Sequence, residues 1–154
     1  MIGKTDETKV AAPEGEAVLL EVEARFVKLD KIGVVPEGER INAHYWGEGS
    51  GIIGVGKLRG IDYSLKRADG TIEMHVHEVF FDGDDHLFSL ERQGIARPDQ
   101  DQKLSLSGVG AARTSKQSHA WLNNTPLRWE GVVDRASGRL SLKMFVPQSA
   151  INHR

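Results

Sequence analysis

Between Thr71 and Phe81 the chain reads TIEMHVHEVFF, and the two-residue side-chain period of a strand puts Glu73, His75 and His77 on one face. Two imidazoles and a carboxylate so placed can bind a metal, shuttle a proton or polarise a carbonyl. The same stripe can also be the wet face of a sheet.

Without a metal, His75 or His77 serves as general base or acid, because an imidazole with a reference pKa of about 6.5 takes and returns a proton near neutrality. Glu73 completes that catalytic set. Glu73 or Glu91 orients the ring, and His44, Tyr45, Trp46, Glu91 and Trp121 are the candidate substrate-binding residues. No cofactor motif accompanies them, so no cofactor is expected. The chemistries left are eliminations, isomerisations, cyclisations and retro-aldol cleavages. The expected function is a cofactor-independent lyase or isomerase acting on a small molecule, aromatic ones included, in a barrel pocket.

Two alternatives stay open: a small-molecule-binding barrel without turnover, and a metal-dependent enzyme with His75, His77 and His44 as ligands. Alternate strand residues lie about 7 Å apart, a span across which two imidazoles can converge on one ion. Downstream, His119-x-x-x-Asn123 is similar to the metal motifs of cupins. A cupin carries a Glu shortly after its second His, where this chain has Val79, Phe80, Phe81 and Asp82. No metal is therefore favoured.

Composition removes other classes. The 154 residues suit one domain, and a formal net charge of -2 leaves no electrostatic footprint for nucleic acid. The absence of cysteine rules out disulfides, thiolate nucleophiles and iron–sulfur ligation, and fits a reducing compartment. The N-terminus MIGKTDETKVAAPEGE lacks the apolar core of a signal peptide, and no run approaches the ~18 apolar residues of a membrane helix. A cytoplasmic location with no membrane partner is the expectation, with residues 1–15 a flexible arm and residues 16–154 a single barrel domain.

Alternating apolar positions mark the strands. Leu20, Val22, Ala24 and Phe26 oppose Glu21, Glu23 and Arg25 in a strand over 16–30, broken by Gly33 and the Pro36-Glu37-Gly38 turn. A second strand spans 40–46. Six glycines between Gly47 and Gly60 suit bulges and close backbone approach, and GEGSGIIGVG lacks the helix that a phosphate loop requires. Strands at 57–66, in the histidine segment and at 87–93 follow, the last two joined at Asp82-Gly83-Asp84-Asp85. A three-residue loop there sets His77 opposite Glu91, and a two-residue loop sets His75 opposite Arg92. A weaker strand at 103–109, a helical turn within 111–120 and a hairpin at 127–134 and 139–146 complete the chain. The acidic turn lacks the spacing and terminal Glu of a calcium loop. The pattern predicts an all-β protein, a closed antiparallel barrel of about eight or more strands, calycin-like and with little helix.

Several segments resemble the domain-of-unknown-function 3237 family of small β-barrel proteins. They are Gly38-Glu39-Arg40; Leu58-Arg59-Gly60 with Asp62-Tyr63; Arg67-Ala68-Asp69-Gly70 leading into Glu73; Asp84-Asp85; Gly94; and Ala120-Trp121-Leu122-Asn123. Together they cover most of residues 33–146. The resemblance implies the barrel fold more than an activity. The family usually has an Asp and an Arg on the strand after the Asp-Gly turn, where this chain has His75 and His77, and a basic residue where it has Glu91.

Orientation decides between these possibilities. On pattern alone Ile72, Met74, Val76 and Phe80 face inward and the histidines outward. Against this, Val79 and Phe81 continue the histidine face as apolar residues, and barrels that oligomerise bury apolar outer faces. The expected site is an interior pocket centred on His44, Glu73, His75 and His77, in a homo-oligomer that takes a small-molecule ligand.

Overall fold

The structure, a computed structural model, describes residues 12–82 and 87–151. Eight strands close in sequence order, each antiparallel to its neighbours, with β1 returning to pair with β8. They are β1 (Glu16–Val35), β2 (Gly38–Gly51), β3 (Gly54–Lys66), β4 (Ile72–Asp82), β5 (Leu87–Pro98), β6 (Lys103–Arg113), β7 (Leu127–Asp134) and β8 (Arg139–Pro147). The expected closed barrel is thus the observed one. Most of the expected Asp82–Asp85 turn, His86, His153 and the first eleven residues of the expected arm lie outside the described residues; Pro13 to Glu16 form a turn closed by the Glu16 N–H on the Pro13 carbonyl, 2.9 Å.

Several boundaries differ from the sequence expectation. β1 runs through Gly33 to Val35 instead of stopping there. Gly33 has φ 104°, and the β1–β2 register shifts between Lys31 and Gly33, so the ladder absorbs an irregularity that reads as a break in sequence. The glycine-rich stretch is strand too, because β2 and β3 pair without a register break from Glu39↔Lys66 to Gly51↔Gly54. β6 extends to Arg113, and the helical turn falls later, as a 3-10 helix at Gln117–Asn124. A short α1 follows β8 at Gln148–Ile151.

The barrel's two ends differ. Strands β1 and β2 meet at one end, as do β3 and β4, β5 and β6, and β7 and β8. The opposite end carries the β2–β3 turn and the 3-10 helix. That second end is filled: Leu20, Leu58, Phe80, Phe88 and Met144 are fully buried there, with Leu122 of the 3-10 helix beneath them. Asn123 fixes the helix by accepting the Thr114 N–H (2.8 Å) and donating to the Thr114 carbonyl (2.9 Å). The first end is not filled in this way and leaves a cavity between the strands.

Candidate functional site

β4 places its even-numbered residues inside. Met74, Val76, Glu78 and Phe80 are buried, whereas His75 and His77 are exposed on the outer surface. The expectation of a histidine-lined interior pocket is corrected here: the inward row is the more apolar one, so burying it releases more free energy than burying the histidine row. His77 stands opposite Glu91, as a three-residue loop would set it, 3.7 Å from its carboxylate, with both side chains mostly in solvent. Glu73 pairs with Arg67 at 2.7 Å on the rim. The His44 ring meets Asp30 at 2.8 Å, an interaction that holds the Asp30 carboxyl below the usual carboxylate range. His44, Trp46 and His77 do share one outer depression with Arg59 and Val79. Trp121 belongs to the 3-10 helix at the filled end, partly buried against the core. His119 packs edge-on against Phe88. Among the described residues no group of three or more His, Asp or Glu is placed to hold a metal ion.

Of the expected site residues, Tyr45 alone points into the barrel interior. Its hydroxyl donates to Glu78, and Arg92 binds both of them: Nε to Glu78 Oε2 at 2.5 Å, and Nη2 to Glu78 Oε1 at 3.0 Å and the Tyr45 oxygen at 3.1 Å. The pair is almost wholly buried, with side-chain exposures of 1% for Arg92 and 0% for Glu78. Burial, reinforced by the Glu78 charge, pushes the Tyr45 hydroxyl well above its ordinary pKa. Burial works against the Arg92 charge, but Glu78 and Tyr45 outweigh it, and its pKa is raised. The guanidinium also lies over the Trp129 ring, 4.5 Å from its centroid.

Glycine makes this network possible. Tyr45, Gly60 and Glu78 occupy one cross-strand row over β2, β3 and β4. A Cβ at Gly60 would lie 2.6 Å from the Tyr45 hydroxyl oxygen and 2.7 Å from Glu78 Cβ, so only a bare backbone lets the phenol cross to the carboxylate.

Above this layer a cavity of about 380 Å³ opens toward the unfilled end, walled mainly by apolar side chains including Ile41, Met74, Leu106 and Leu140. That is the lower part of the size range of small-molecule sites. Its polar lining includes Tyr45, Asp62, Ser64 and Arg92. Asp62 and Arg92 flank Val76 in a second cross-strand row, their Cα atoms about 10 Å apart by strand spacing. The β3–β4 ladder lapses between Asp62↔Val76 and Leu65↔Glu73, and Asp62 Oδ1 accepts the His75 backbone N–H at 3.0 Å. Burial raises the Asp62 pKa to about 7, against the opposing pull of that N–H and of the Arg92 charge. Ser64 donates to the Ile41 carbonyl, 2.8 Å. Arg92 Nη1, by contrast, is buried and has no hydrogen-bond partner.

The geometry can therefore do two things at one place. A carboxyl poised near neutrality can exchange a proton with a ligand, and a fixed cationic donor can hold an oxygen that gains negative charge. Sequence reasoning passed over Glu78 and Arg92, although both interrupt inward apolar rows: Met74-x-Val76-x-Glu78-x-Phe80 and Phe88-x-Leu90-x-Arg92. Opposite charges at inward positions of paired strands were the available signal.

No family model matches this chain, and no curated protein does. Solved structures share the barrel. A protein of unknown function from Clostridium acetobutylicum superposes with a TM-score of 0.75 at 20% identity, covering 86% of this chain and 99% of its own. A beta-barrel like protein from Acinetobacter baumannii gives 0.73 at 14%, covering 88% and 98%. A protein from Penicillium herquei described as an enzyme gives 0.53 at 18%, again covering 88% and 98%. At these identities the likeness is one of fold.

Proposed function

We propose that the protein is a cofactor-independent enzyme of the lyase or isomerase kind, in which Asp62 moves a proton and Arg92 stabilises a developing oxyanion on a small, largely apolar molecule. The observation that carries this is that Arg92, whose buried Nη1 has no partner, and Asp62, a carboxyl with a pKa of about 7 across Val76 from it, line one apolar cavity. Buried donors are nearly always satisfied, so an unpartnered guanidinium nitrogen in a residue that lines a cavity points to a ligand as its partner. The Penicillium herquei neighbour described as an enzyme is consistent with turnover in such a barrel. Membership of the domain-of-unknown-function 3237 family is part of the same proposal, since Gly60 and Asp62 of the matching segments both build the site.

In the simplest step the Asp62 carboxylate removes a proton from carbon next to a carbonyl. The C–H electron pair passes to the carbonyl oxygen, and the Arg92 guanidinium donates to the resulting enolate; reversal returns the proton to carbon at the same or a conjugated position. Tyr45 and Glu78 hold the guanidinium in place.

2-Tetralone in deuterated buffer tests this with an accessible ketone. The protein should speed loss of the α-proton NMR signal, with a rate that rises as pH climbs through about 7 and Asp62 ionises. Asp62→Asn should remove the effect while His75→Ala and His77→Ala keep it. Equal exchange with wild type and Asp62→Asn would sink the proposal. Binding without turnover is the competing use of the same cavity, and it predicts tetralone affinity with no exchange.

A further inference from the structure

Among the described residues three charged side chains line the cavity, and two of them, Asp62 and Arg92, belong to its floor. The third, Arg135, stands in the β7–β8 turn at the open end. Its Nε donates to the Gln102 carbonyl at 3.2 Å, and its backbone N–H donates to the same oxygen at 3.0 Å. Asp101 and Gln102 make this possible from the β5–β6 turn by taking φ values of 58° and 63°, a left-handed conformation that non-glycine residues adopt at some cost. Arg135 is thereby tethered at the rim. Among the described residues it forms no ion pair, unlike Arg67, Arg92 and Arg128, each bound to a carboxylate. Asp134, its neighbour, spends its carboxylate on the Ala136 N–H at 3.0 Å.

We infer that Arg135 selects ligands with an anionic oxyacid group at the end opposite the reacting oxygen, so that the substrate class is an elongated, apolar-bodied anion. This deepens the proposed function and rests on it for the orientation of the ligand. Along β7, Arg135 lies eight residues from Leu127, which shares the cross-strand row of Arg92 through Gly110. That is about 26 Å of strand, reduced to about 20 Å along the barrel axis by strand tilt. A head group at Arg135 and an oxygen at Arg92 therefore suit an elongated molecule, with the apolar walls between them. A planar guanidinium with free donors binds carboxylate, sulfonate or phosphate oxygens through charge-assisted pairs. Arg135 touches no reacting atom in this arrangement; it sets specificity and position.

A matched pair of fluorescent probes isolates the effect. 8-Anilino-1-naphthalenesulfonate differs from N-phenyl-1-naphthylamine by one sulfonate. Wild type should bind the sulfonate about tenfold more tightly, the worth of one partly exposed charge-assisted contact. Arg135→Gln should remove that preference by weakening the sulfonate alone, and Arg135→Lys should keep part of it. A purely structural Arg135 would instead weaken both probes together. Equal binding of the two probes by wild type, or a preference that survives Arg135→Gln, overturns the inference. Displacement by decanoate and by decyl phosphate identifies which head group is preferred, and decanol displacing as well as either also overturns it. Because binding is read without turnover, failure of the tetralone exchange and failure of this selectivity are separate results.

Discussion

The two faces of β4 both carry ionisable groups and do opposite things with them. On the outer face His75 and His77 stand in solvent, and His77 reaches Glu91 only at 3.7 Å. Such exposed pairs are worth little, because water already solvates both partners. On the inner face Glu78 is held by Arg92 and Tyr45 with no water access, and Asp62 on the adjoining strand is driven to a pKa of about 7 by burial. Residue type suggested chemistry on the first face; dielectric environment creates it on the second.

The comparison breaks most visibly at the ion pair. Arg92→Met alone strands the Glu78 carboxylate in the interior and should cost about 3–5 kcal/mol in urea unfolding, while Glu78→Leu with Arg92→Met should recover much of that loss. Recovery would show that the buried pair is kept for the site rather than for stability.

Asp62 gives the next largest effect, and its sign is opposite to that of a salt-bridged carboxylate. Its folded-state pKa is raised, so the native protein holds the proton more tightly than the unfolded chain. Its contribution to stability is greatest below about pH 4 and is lost as pH rises toward 7. Asp62→Asn can still accept the His75 N–H. It should therefore flatten this dependence and stabilise the protein at pH 8, by at most about 4 kcal/mol. Wild-type stability that climbs over that window through Asp62 would contradict the assignment.

Gly60→Ala presses a methyl group between the Tyr45 hydroxyl and Glu78 and should cost about 1–3 kcal/mol in thermal unfolding. At the small end, His75→Ala and His77→Ala should each change stability by no more than about 0.5 kcal/mol. A larger loss for either would mean that the outer face is covered.

Much of the barrel was legible beforehand. Alternation fixed the β7–β8 hairpin closely, and it identified which residues of β4 share a face. The continuation of β1 past Gly33 was not legible, because pairing with β2 supplies the bonds that a glycine and a turn signal argue against. The helical turn was misplaced for a related reason: β6 runs on to Arg113 by pairing with β5. At the site, Asp62 stood only within a segment that carries the family resemblance, and neither Glu78 nor Arg92 was read as a site residue. A charge on an apolar row looks like an exception until its partner is known, and that partner sits on a neighbouring strand.

The sequence by itself determined the periodicity, the absence of thiol chemistry and the two groups of residues that each strand sends to opposite sides. Those follow from covalent order and the geometry of an extended chain. Which side became the interior, which charges met there and what pKa burial gave them were decided only by closure of the barrel. Desolvation depends on every strand at once, and no segment carries it alone.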